Sequence, residues 1–472
     1  MARTRVIYQS EAVYVSQDVA YNVAQTGTQG DAGITSTPNS FNIIDLNRIQ
    51  SANYSFSVAR QDVNQYGELA AIDQCIVEAP TVSFDTSYYL ANFTNENRLG
   101  FYVTQSGEGT KYGGKFDNPV GDQTVEASGL YKSAITNLID STSNSYQKNY
   151  YILTSNEGKD ANISSPSGVP LSNSGNYQSV IGIGNGFLSS YSTEGAIGGM
   201  PTVSISVEGQ NMNFVTLPYQ TGLGAGHGAG QGFRTSGSVA GNSLAALANS
   251  SLIGISGESP AVNPTDGTKY GDSVCLPIAT GNAAGGADSM GVISTLRPGD
   301  ITLTLARQTG DAITFAATES NMTPPDYAGA SITDAHIQSY TLSFDLSRTP
   351  IQKLGVKYAF ARPVDFPINI SLSVDAIVSD LTTGSLADII NSDDKFDARI
   401  TMKDPTCETT PKPVVCNYIA KGLKLDSQSF SQSIGDNQTV TLDFTSQIGG
   451  PSQKSKGIFM SGYYNPNVTG QQ

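Results

Sequence analysis

Apolar and polar residues alternate with a period of two along several stretches of this chain, the spacing of a β-strand with one buried and one polar face. The run IQSANYSFSVARQDVNQYGELAAIDQCIVEAPTVSFD begins at Ile49, and IQSYTLSFDLSRTPIQKLGVKYAFARPVDFPINISLS begins at Ile337. They align without a gap at an offset of 337 minus 49, or 288. Identities include Ile49/Ile337, Gln50/Gln338, Ser51/Ser339, Ser55/Ser343, Phe56/Phe344, Arg60/Arg348 and Gly67/Gly355. Each copy predicts a strand, a turn around the glycine and a second strand. Residues 54, 56 and 58 should face a core, as should 342, 344 and 346.

A second block repeats farther on. SSYSTEGAIGGMPTVSISVEGQ from Ser189 is similar to SQSFSQSIGDNQTVTLDFTSQ from Ser427. Tyr191/Phe430 and Ser192/Ser431 match at an offset of 239, and Thr202/Thr439, Val203/Val440, Ile205/Leu442 and Val207/Phe444 at 237. A two-residue deletion in the turn accounts for the change. Val203, Ile205 and Val207 alternate with polar residues, as one strand of a hairpin should.

The chain therefore reads as a tandem duplication. Residues 1–215 form a first module with loop insertions, 216–299 a Gly-rich connector or insertion, and 300–472 a second module. The extra residues of copy one fall between Gln105 and Gln178, a stretch of turn formers expected to be surface loop. Within it, Leu130, Ile135, Leu138 and Ile139 stand at helical spacing, and in copy two so do Leu381, Leu386, Ile389 and Ile390. Each module should carry one flanking helix. DITLTLARQTGDAITFAAT should open module two, and RVIYQSEAVYVS should be an early strand or arm of module one.

Composition agrees with strands and turns: 49 Gly, no Trp, 23 Tyr and long runs of Ser, Thr and Asn in 472 residues. The net charge of -15 argues against a surface that grips nucleic acid by neutralising phosphates. No apolar run is long enough for a membrane span or signal peptide. Cys75, Cys275, Cys407 and Cys416 lack zinc-site spacing. Cys407 and Cys416 either bridge across a hairpin or remain free thiols.

Catalytic chemistry has little to work with. His227 and His336 are the only histidines, and neither has clustered partners. The glycines around His227 lack the lysine of a phosphate loop and read as linker. Asp73, Glu78 and Asp85 lie close in sequence, but nothing selects an acid and a nucleophile, and exposed strand charges account for them. No catalytic, cofactor or metal site is expected. Arg60 and Arg348 recur at matching positions. They are either inter-subunit salt bridges or strand-end arginines within their own modules. Gly67 and Gly355 should supply a turn shape that a Cβ opposes.

The YSFSVAR-type strand, the turn with Gly and the later S-Y-S…TVSISVEG hairpin resemble those of long-tailed bacteriophage tail tube proteins. The resemblance implies an all-β fold with minor helix: two tandem tail-tube-like β-barrel or sandwich modules, each with one flanking helix, plus long loops. It also implies a virion tail protein assembled in the host cytoplasm, whose duplicated form makes stacked trimeric rings with pseudo-sixfold symmetry. Its partners would be itself and other tail proteins such as a tape measure, terminator or baseplate, with DNA passing through without sequence-specific binding. The main tube and a ring at its end both fit. The contrasting reading is a β-rich virion fibre or decoration protein that binds a host-surface carbohydrate, with or without glycan hydrolysis.

Overall fold

The structure is a computed structural model. It describes residues 11–16, 43–76, 81–104, 133–139, 148–155, 177–209, 211–215, 234–235, 275–276, 295–308, 336–352, 354, 362–377, 394–405, 414–431, 438–449 and 456–462. In chain order the first strands are β1 (Glu11–Ser16), β2 (Ile43–Asp45), β3 (Ile49–Ser57), β4 (Arg60–Val63), β5 (Asp73–Ile76) and β6 (Thr81–Tyr89). Helix α1 (Thr94–Leu99), β7 (Val103–Thr104) and helix α2 (Thr136–Ile139) follow. Next come β8 (Lys148–Ser155), β9 (Tyr177–Ala196), β10 (Thr202–Gly209), β11 (Asn211–Val215), β12 (Arg234–Thr235), β13 (Cys275–Leu276) and β14 (Ile301–Arg307). The last are β15 (His336–Asp345), β16 (Asn369–Ile377), β17 (Phe396–Lys403), β18 (Val414–Ser431), β19 (Thr439–Gln447) and β20 (Gly457–Gly462). The fold is all-β with two short α-helices among the described residues.

An antiparallel ladder in the order β18-β19-β16-β15-β9-β10-β6-β3 forms one layer. Its halves share one register. Tyr54 stands opposite Phe84, and at 288 residues on, Leu342 stands opposite Leu372. Val207 stands opposite Leu188, and at 237 on, Phe444 stands opposite Leu425. The irregularities repeat as well: the ladder shifts at Gln50 and again at Gln338, at Ser189 and again at Asp426. A bulge re-aims a strand, so its recurrence marks equivalent bends.

This pairing corrects the sequence alignment in one respect. Thr193 lies opposite Val203 and Phe430 opposite Val440, so β9 and β18 correspond at 237 along the paired stretch. Phe430 is the counterpart of Thr193, not of Tyr191. A slip of two residues keeps every side chain on its face, which is why alternation could not reveal it.

The long strands β9 and β18 each serve two layers. The first part of β9 pairs with β8 and β11, and β1 and β2 extend that sheet. The first part of β18 pairs with β17 and β20, flanked by β14 and β7. These sheets cover the apolar face of the ladder: Phe84 meets Tyr150 with ring centroids 5.6 Å apart, and Phe396 meets Phe444 at 6.1 Å. One continuous apolar core results, with Phe84, Val207, Leu342, Leu372 and Phe444 at its centre. The layers form a sandwich, and the ladder does not close into a barrel. β7 joins β20 in parallel, so a segment from the first half of the chain completes a sheet of the second.

Leu342, Phe344 and Leu346 are buried as their alternation requires, but Tyr54 is 39% exposed and Phe56 only half-buried. β3 ends the ladder, and the described layers do not reach over its outer half. The stretch 105–178 is also more than loop. It contains β8, whose consecutive Tyr150, Tyr151 and Ile152 are buried on both faces and so show no alternation. Of the expected helices, the first is the single turn α2, with Ile135 and Leu138 buried, and the second lies outside the described residues. Most of 216–299 lies outside them too, apart from the short parallel pair β12 and β13 and residues 295–299.

Candidate functional site: an acidic sheet face and two open edges

The face of the ladder opposite the core is built from Ser, Thr, Asn, Asp and Glu. Its carboxylates are Asp85, Glu194, Glu208, Asp345, Asp375, Asp426 and Asp443, and in the ladder segments 49–57, 81–89, 190–196, 202–209, 339–345, 369–377, 424–431 and 439–447 the basic residue is Lys424, opposite Thr445 at the β18 end of the face. Neighbouring hydroxyls hold the acids in place. Ser206 Oγ donates to Asp85 Oδ1 at 2.6 Å and Thr202 Oγ1 to Glu194 Oε1 at 2.8 Å. Ser339 and Thr441 both donate to Asp375 at 2.6 Å, and Ser373 and Ser427 both donate to Asp443 at 2.7 Å. Toward β3 the hydroxyls pair with each other: Ser51 with Ser87 and Ser55 with Ser83, each at 2.6 Å. These cross-strand bonds keep short side chains flat against the sheet.

Such a face offers chiefly anions and acceptors, with Lys424 as the cation at its β18 end. Among these carboxylates, Glu208 has a guanidinium beside it, Arg362 Nη1 at 3.4 Å. The excess of carboxylates gives the face a negative potential, which disfavours an approaching anion.

The second feature is a pair of edges. The ladder ends on β3 at one side and on the Lys424–Ser431 half of β18 at the other, with no strand beyond either among the described residues. Large apolar side chains lie exposed on both: Tyr54 at 39% and Phe430 at 52%. A third exposed group tips the β4–β5 hairpin, where Tyr66 and Leu69 are fully exposed, and Leu354 is equally open at the corresponding place after β15.

The sequence-derived residues fall into different surroundings. Arg348 is 8% exposed and used inside the chain: Nη2 donates to Leu138 O at 2.6 Å, Nη1 to Arg362 O at 3.0 Å, and its guanidinium lies 5.0 Å from the centre of the Phe187 ring. Arg60 is exposed on β4 opposite Ile76. Gly67 has φ +93°, a backbone shape that favours glycine, at the turn of the same hairpin. Gly355 lies outside the described residues. Cys416 is buried as a free thiol, Cys75 is exposed, and Cys407 lies outside the described residues. Asp73 sits on β5 in the separate hairpin sheet and Asp85 on the ladder face, while Glu78 lies outside the described residues. His336 begins β15, and His227 is outside the described residues.

One polar cluster escaped the sequence reading. Glu96 on α1 is buried beneath the ladder, where Tyr88 Oη donates to its Oε1 at 2.8 Å and Tyr191 Oη at 3.3 Å. Tyr191 and Tyr418 share a further hydrogen bond of 2.7 Å, which ties β9 to β18. Burial raises the Glu96 carboxyl from 4.5 to about 7 against these hydrogen bonds and the Arg48 charge. Oε2 is buried without a hydrogen-bond partner among the described residues. Polar residues at 94–98 gave no apolar periodicity to find. Among the described residues no group of three or more His, Cys, Asp or Glu is placed to hold a metal, and no helix is long and apolar enough to cross a membrane.

No protein-family model matches the sequence, and no curated protein does. Among solved structures the chain is similar to one from the anti-feeding prophage baseplate, at 11% identity and a TM-score of 0.23, over 34% of this chain and 91% of that one. It is similar to a chain in the tail of an empty GTA particle, at 12% identity and a TM-score of 0.20, over 32% and 93%. It is also similar to the SPP1 tail tube, at 10% identity and a TM-score of 0.24, over 36% and 81%.

Proposed function

We infer that this chain is a structural, non-catalytic tail protein of a phage-type particle, and that three copies close into a pseudo-sixfold ring that stacks into a conduit for DNA. The observation that carries the reading is the ladder itself: two halves in one register, a predominantly acidic face, and an open edge at each end. An open edge is an invitation to another strand, and joining copies edge to edge is the arrangement that removes both edges at once. Eight ladder strands per copy, spaced about 4.8 Å apart, close in threes to a wall at least about 37 Å across at the backbone, leaving a bore of roughly 25 Å inside the side chains. The acidic face then lines the bore, and DNA slides past it without sticking. Module duplication, with copy-one insertions and the connector outside the wall, gives a nearly sixfold interior and a threefold exterior. The resemblance of the two sequence blocks to tail tube proteins supports the same reading, and its partners would be further copies and the tail proteins at either end of the tube.

Negative-stain imaging of purified protein tests it. Rings or tubes of uniform bore with threefold or sixfold symmetry are expected; monodisperse monomers, or elongated trimers that degrade glycan, would overturn it in favour of a carbohydrate-binding fibre.

A further inference from the structure

The ladder contains one completed seam whose counterpart is left open. Where its two halves meet, β15 runs antiparallel to β9, with Leu342 opposite Thr193, Ser343 opposite Ser192 and Phe344 opposite Tyr191. Leu342 and Thr193 are fully buried there, and the Phe344 and Tyr191 rings stack at 5.3 Å. The offset of 288 that relates the halves carries β15 onto β3, and that of 237 carries β9 onto β18. β3 and the end of β18 are therefore the two strands that form this seam a second time. They stand at opposite ends of one ladder and do not meet within a chain.

We propose that the Lys424–Ser431 edge of β18 in one copy pairs antiparallel with β3 of a second copy, in the register of the internal seam: Tyr54 opposite Phe430, Ser55 opposite Ser429 and Phe56 opposite Gln428. The proposal deepens the ring reading and rests on the chain's self-association. The exposed side chains support the register. Tyr54 and Phe430 are the large exposed apolar residues of the two end strands, and the shift places them directly opposite each other at the positions of the buried pair Leu342 and Thr193. Both point to the core face of the ladder, since Tyr54 pairs with the buried Phe84 and Phe430 with the buried Val440. On the other face the same register sets Asn53 against Ser431, Ser55 against Ser429 and Ser57 against Ser427. No like charges meet across the seam, whereas directly opposed like charges would weaken it. Each contact made by joining two copies also buries an aromatic pair now facing solvent.

The test uses the full chain with Cys75→Ser, which removes the thiol exposed among the described residues, and with Cys275→Ser and Cys407→Ser, in three paired variants: Ser55→Cys with Ser429→Cys, with Ser427→Cys, or with Ser431→Cys. Directly opposed residues have Cβ atoms about 5 Å apart and diagonal ones about 7 Å, beyond disulfide reach. Mild oxidation should link chains through the 55/429 pair roughly tenfold more than through either neighbour, up to a covalent trimer on a non-reducing gel. Circular dichroism confirms that the substitutions leave the fold intact. Assembled particles that cross-link best through another pair, or through none, overturn the seam while the ring reading stands. Chains that sediment as monomers at every concentration remove the ring reading and the seam together.

Discussion

Glu96 is the residue whose ionisation bears most on stability. Its carboxyl is raised to about 7 by burial, so in the folded chain it holds a proton that the unfolded chain has already lost. The stabilisation from this group is full below about pH 4.5 and is lost as pH rises through about 7, for a total of up to about 3 kcal/mol. Glu96→Gln keeps an acceptor for Tyr88 and removes the titration. Denaturant unfolding across that window should show the wild-type free energy falling relative to the variant, whose profile is flatter; parallel profiles would show that Glu96 is not protonated in the folded state. The two arginines make a second contrast. Arg348→Ala leaves the carbonyls of Leu138 and Arg362 without their donor and uncovers Phe187, for a loss of about 2–3 kcal/mol in equilibrium unfolding. Arg60→Ala should change stability by less than about 0.5 kcal/mol, because its side chain is exposed. In sequence the pair is indistinguishable. The difference arises because Leu138 and Phe187 stand beside Arg348, while Arg60 lies on an outer hairpin.

At the scale of elements, strands with one buried face were legible and strands with two were not. β10, β16 and β19 alternate as the sequence indicates, with Val203, Ile205 and Val207 inward. β8 hid because Tyr150, Tyr151 and Ile152 all face packed layers, and α1 hid because its buried residues are polar except for Leu99, with Glu96 and Asn95 bonded to a ladder tyrosine and to backbone. The face of β3 was read correctly but not its exposure, since Tyr54 looks like Leu342 until strand order puts β3 at the end. The β4–β5 hairpin carries the next prediction. Fully exposed apolar residues at a hairpin tip favour a partner surface. We propose that in the stacked rings the tip contacts the neighbouring ring, and Tyr66→Asp with Leu69→Asp should then leave single rings intact and shorten the stacks seen by electron microscopy. Tubes of unchanged length would show that the tip makes no stacking contact.

At the scale of the whole molecule, the acidic balance of -15 was visible from composition, but its placement was not. Asp85, Asp375 and Asp443 are scattered in sequence and converge only when two-residue alternation on separate strands is folded into one ladder. The two halves were legible as repeated blocks, whereas the open edges became visible only once the strands were ordered, because an edge is a property of the sheet and not of any segment. A three-dimensional reconstruction of the purified full-length protein by electron cryomicroscopy tests the central claim most directly. The predicted particle has three chains in a ring, a continuous strand wall, and Asp85, Asp375 and Asp443 facing the bore. Rings with that face turned outward, or particles that remain single chains, would contradict it.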